Sequence, residues 1–86
     1  MERFIQRLTA LLKQNFPGAE IELERARPAP RVGGFLIWDG FERMDQTKRQ
    51  THVWQVLRES LSAEDQGRIT AILTVTPAEI SVMREG

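Results

Sequence analysis

The sequence predicts an α+β domain, and three patterns carry that expectation. Apolar residues recur at helical spacing over residues 2–15 and again within the long stretch 38–61, where positions three and four apart share a face. Residues 19–24 alternate apolar and charged, and residues 68–75 are rich in β-branched side chains, as strands are. Capping and turn residues punctuate the chain between these runs, giving the order helix, strand, strand, helix, short helix, strand, helix. Nothing in it repeats.

In the first helix Phe4, Ile5, Leu8, Leu11 and Leu12 form the apolar stripe, with Arg3, Arg7 and Lys13 on the polar side. Asn15-Phe16-Pro17-Gly18 ends it, because proline disfavours helical geometry in the residue before it. Ala19, Ile21 and Leu23 then face the core of a strand whose other side carries Glu20, Glu22 and Glu24, a solvated row that discourages edge pairing. Residues 25–34, RARPAPRVGG, read as a mobile hairpin loop bearing Arg25, Arg27 and Arg31. Residues 35–38, FLIW, read as a central strand buried on both faces.

Asp45 is placed to cap the long helix, whose stripe of Gln50, Val53, Trp54, Leu57 and Leu61 faces the core, with Trp54 buried. Lys48, His52, Gln55 and Glu59 face away. Ser62 with Asp65 makes the next cap, and Gly67 closes a short helix. In the last strand Ile69, Ala71, Leu73 and Val75 line one side and Thr70, Ile72 and Thr74 the other. Thr76-Pro77-Ala78-Glu79 is a capping box with proline at the first helical position, and it opens a final helix.

With 86 residues there is room for a single domain over 1–86 with one modest core. Twelve Lys plus Arg balance twelve Asp plus Glu, so no global field holds the chain on a polyphosphate, and any nucleic-acid contact must be local. Ten of the twelve basic residues are Arg, whose planar fork suits carboxylates and phosphates. The absence of cysteine excludes disulfides, thiolate nucleophiles and Cys-ligated metals. No stretch approaches the roughly 20 apolar residues that span a bilayer, and MERFIQRL does not read as a signal peptide. A cytoplasmic protein is therefore expected.

Chemistry has few places to reside. His52 is the single histidine and lacks a partner carboxylate in motif spacing, and neither a nucleotide-binding loop nor a nucleophile elbow is present. The expectation is a binding module rather than an enzyme. Arg43, Lys48 and Arg49 crowd the start of the long helix, where backbone amides favour anions, although Asp39, Glu42 and Asp45 in the same segment offset much of that field.

Phe41 and Glu42 at the turn, Arg49 eight residues on, the Val53-Trp54 pair, Ile69 and Ala71 in the last strand and the Thr76-Pro77-Ala78-Glu79 box share one spacing. In these residues the chain resembles the BolA-like family. The resemblance implies a type II KH-like α-β-β-α-α-β domain, with a three-stranded mixed sheet and helices packed on one face. It departs from the family pattern at Gln50 and Thr70, which stand where the family has histidines, at Thr51, and at Arg43 in place of the turn glycine. Family members that share an iron-sulfur cluster with monothiol glutaredoxins use such ligands, so here no cofactor and no metal are expected. No Gly-x-x-Gly of an RNA-clamping KH loop occurs.

The resulting expectation is a small non-catalytic adapter or regulatory protein, a monomer or weak homodimer. It would act by contact with another protein, glutaredoxin-like partners without a shared cluster included. The alternative is a nucleic-acid-binding KH-like module using the basic loop and the start of the long helix. Candidate contact residues are Arg25, Arg27, Arg31, Arg43, Lys48, Arg49 and His52.

Overall fold

A computed structural model describes residues 2–85. Helix α1 (Glu2–Asn15) buries Phe4, Leu8 and Leu12, one residue per turn of the expected stripe. It stops where Gly18 takes φ +83° and the Ala19 amide donates to the Phe16 carbonyl at 3.0 Å. Strands β1 (Glu20–Ala26) and β2 (Arg31–Ile37) pair antiparallel, and β3 (Ile69–Val75) joins β2 in parallel. The sheet is therefore mixed, in the order β1-β2-β3, with β2 central as its apolar run implied.

The hairpin is longer than its sequence suggested. Arg25 pairs with Val32 and Ala26 with Arg31, so only residues 27–30 form the turn and Gly33 and Gly34 lie inside β2. The glycines that read as loop serve close packing instead. A Cβ on Gly34 would fall far inside contact with the Glu22 carbonyl, and Gly34 has φ +159°.

In β3 the expected alternation also breaks. The register with β2 shifts between Val32 and Gly33, leaving Thr70 without a partner, so Ile69 and Ile72 both reach the core while Ala71 and Leu73 are exposed.

Helix α2 (Gln46–Ser60) starts on Asp45, whose carboxylate accepts from the Lys48 amide at 2.8 Å. It buries Arg49, Val53 and Leu57, while Trp54 is only half-buried rather than fully enclosed. Ser62 caps α3 (Ala63–Gln66), and α4 (Pro77–Glu85) follows β3 directly.

Helices α1 and α2 cover one sheet face around a core that includes Leu8, Phe16, Leu36, Phe41, Val53 and Ile72. Helix α4 is the exception to one-sided packing. Its Ile80 meets Ile37 and Val75 in a separate cluster, and Ile37 points away from the face that Leu36 buries. No described helix is long and apolar enough to cross a membrane.

Candidate functional site

The start of α2 carries a network of side-chain hydrogen bonds to β3 and α4, and Arg49 is its centre. At 4% exposure its guanidinium donates through Nε to the Met44 carbonyl at 2.9 Å and through Nη1 to the Thr74 carbonyl at 3.1 Å. Both Nη atoms also reach the Glu79 carboxylate, at 2.6 and 3.2 Å, in the bidentate fork that suits arginine. Glu79 closes the α4 capping box as well, accepting from the Thr76 amide at 2.8 Å while Thr76 Oγ1 accepts from the Glu79 amide at 3.2 Å. These bonds, led by that from Arg49, hold the Glu79 carboxyl down at about 2. Arg49 thus ties α2, β3 and α4 together. As a contact residue it is withdrawn, because the guanidinium is buried and four of its five N–H groups already donate within the molecule.

On either side of Arg49, Gln46 and Gln50 treat β3 alike. Gln46 Nε2 donates to the Thr74 carbonyl at 3.0 Å, and Gln50 Nε2 donates to the Ile72 carbonyl at 2.8 Å and to Thr74 Oγ1 at 3.2 Å. The Val75 carbonyl bonds β2 through Trp38 N at 2.9 Å, so the alternate carbonyls of Ile72 and Thr74 point to the outer edge of the sheet. Side chains of α2 therefore seal that edge.

His52 was expected to face away from the core. Its ring instead lies 5.0 Å from Phe16 and 6.3 Å from Trp38, half-buried in a cluster that Phe41 completes, because the far flank of α2 meets the end of α1. Trp38 is fixed there by Nε1 donating to the Pro17 carbonyl at 2.9 Å. The remaining candidates are exposed but not assembled. Arg27 lies in the hairpin turn and Arg25 and Arg31 are strand residues beside it, not parts of a mobile loop; Arg25 also pairs with Glu2 at 3.4 Å. Arg43 and Lys48 stand at the start of α2, which Gln46 anchors near the other end of β2. The two groups are separated by about 20 Å, the length of a seven-residue strand.

No family model matches the chain, and no curated protein does. Among solved structures, BolA1 from Arabidopsis thaliana superposes with a TM-score of 0.66 and 25% identity, covering 88% of this chain and 94% of that chain. This chain is BolA-like.

The residues that carry the BolA-like resemblance prove to be physical partners. Arg49 of the helix start and Glu79 of the Thr-Pro-x-Glu box form the fork, and Phe41 of the turn lies under the Arg49 guanidinium, 5.6 Å from Cζ to ring centre. The family's iron-sulfur chemistry finds no matching donors. The Gln50 amide is committed to β3, Thr70 offers a hydroxyl, and His52 sits in the aromatic cluster instead of either place. Among the described residues no three of His, Asp and Glu converge on a metal-sized space.

Sequence reasoning missed one surface altogether. A hollow of about 330 Å³ lies on the sheet face away from α1 and α2, lined by Gly33, Phe35, Ala71 and Leu73 among others. The alternation of Ala71 and Leu73 marked a common face, but it carried no sign that the face is left open.

Proposed function

We propose that this BolA-like chain is a non-catalytic cytoplasmic adapter that works by contact with another protein. The observation that supports protein over nucleic acid is the separation of its cations. Arg25, Arg27 and Arg31 lie about a strand length from Arg43 and Lys48, and Arg49 beside the latter is buried in its own ion pair, so these candidate residues form no continuous track for a phosphate backbone to follow. Catalysis has no support in the geometry either, since the one imidazole rests on aromatic rings without a carboxylate partner among the described residues.

Salt dependence tests the proposal. If the hairpin arginines neutralise three phosphates of an oligonucleotide, log K falls with log salt at a slope of about −2.7, or about 40-fold between 50 and 200 mM. Binding of a monothiol glutaredoxin lacking a cluster is the matching protein assay, and its affinity should change only a few-fold over that range. Oligonucleotide binding with the steep slope, together with no glutaredoxin binding, overturns the adapter reading.

A further inference from the structure

We propose that the open sheet face is a docking site for an amphipathic helix of the partner protein, one with a Lys or Arg one turn after an apolar anchor. The proposal rests on the adapter reading and adds to it the surface and the chemistry of the partner.

Strand register lays that face out in three rows. Glu20, Ile37 and Val75 form the first, Glu22, Phe35 and Leu73 the second, and Glu24, Gly33 and Ala71 the third. Each row runs from a carboxylate on β1 to apolar or small residues on β2 and β3. Rows of alternate residues along a strand are about 6.8 Å apart.

Helix α4 already shows what fits such a layout. Its Ile80 packs on Ile37 and Val75, and Arg84, one turn later, forms an ion pair with Glu22. Apolar anchor and basic residue at i and i+4 thus match the sheet's own arrangement of apolar strands and acidic edge. In the second row α4 engages only Glu22 and flanks Phe35, and the third row repeats the arrangement with no occupant among the described residues. Phe35 is only half-buried, Leu73 is 49% exposed, and Glu24 has no ion pair among the described residues. Small residues deepen the floor there, for even a Cβ on Gly33 would come within 3.1 Å of the Ala71 carbonyl. A helix lying beside α4 at the usual 8–10 Å spacing covers these two rows and brings its basic residue to Glu24.

A second copy of the chain is a poorer occupant. The apolar stripes of α1 and α2 are buried in their own core, and Arg84 is already engaged. The exposed Val82 and Met83 of α4 make self-association the competing outcome to be tested.

The experiment pans a phage-displayed library of helical peptides, randomised along one face, against the full-length protein. Enriched peptides should carry an apolar residue followed at i+4 by Lys or Arg, and should shift the amide resonances of Gly33, Phe35, Ala71 and Leu73. Leu73→Glu and Glu24→Lys should each weaken them about tenfold or more, with unchanged melting temperatures showing that the variants fold. Enriched peptides without the basic residue, or bound equally by Leu73→Glu, overturn the proposal. So does a dimer in sedimentation that Leu73→Glu dissolves, which assigns the face to a second copy. The oligonucleotide titration above tests the adapter reading separately, so failure of the face leaves that reading standing.

Discussion

At the residue scale, the Arg49–Glu79 fork joins the helix that covers one sheet face to the helix that lies on the other. Removing one partner of such a pair leaves the other's groups without donors, and here Arg49 also satisfies the Met44 and Thr74 carbonyls. Arg49→Ala should therefore lower stability by about 2–4 kcal/mol in chemical denaturation, below the full cost for an enclosed pair because the Glu79 side chain is 46% exposed. Arg49→Lys should restore little of it, since an ammonium lacks the fork. The same pair sets an acid dependence. The Glu79 carboxyl titrates at about 2 in the folded chain against 4.5 ordinarily, so between those values the unfolded chain binds more protons. Its contribution is thus present above about pH 4.5 and is lost as pH falls toward 2. Thermal melts of Glu79→Gln should show a shallower loss of Tm across that window than the natural chain, and parallel curves would show that other carboxylates set the acid limit.

At the element scale, α2 is both a core helix and the cover of the β3 edge. Gln46→Ala with Gln50→Ala removes the side chains that bond the Ile72 and Thr74 carbonyls. The double variant should lose about 1–3 kcal/mol and show faster amide exchange in β3 than in β1, and unchanged exchange would mean that water replaces the amides without loss. This seal also marks where sequence reading succeeds and fails. The stripe of α1, the caps at Asp45, Ser62 and Thr76, and the order of elements follow from local spacing and were legible. Arg49 read as a surface cation because helical periodicity gives no sign of the carboxylate that α4 brings to it from 30 residues away. Gly33 and Gly34 read as a turn because their reason, the close approach of β3 to Gly33 and of β1 to Gly34, is tertiary. The place of His52 escapes helical periodicity for a similar reason: the rings it rests on come from α1's end and the turn after β2.

At the scale of the whole molecule, the question is whether a BolA-like scaffold that lacks the family's histidines keeps its link to iron. A cluster shared between two proteins needs ligands from both, and thiolate or imidazole supplies them in nearly all such sites. This chain has no cysteine, and its single imidazole lies against Phe16 with Trp38 farther off, displaced from Gln50 by two residues along α2. Two residues on a helix turn the side chain by about 200°, which is why Gln50 meets the β3 edge while His52 meets the aromatic cluster on the other flank. Bringing His52 to the outer edge of β3 would require α2 to rotate, breaking the Gln46, Arg49 and Gln50 bonds together, a cost of several kcal/mol at about 1 kcal/mol or more each. Mixing the protein with a cluster-loaded monothiol glutaredoxin should therefore leave the visible absorption and circular dichroism of the cluster unaltered, whether or not the two proteins bind. A stable complex with a changed cluster spectrum that His52→Ala abolishes would show that α2 does rearrange, and would return this chain to the cluster-binding side of the family.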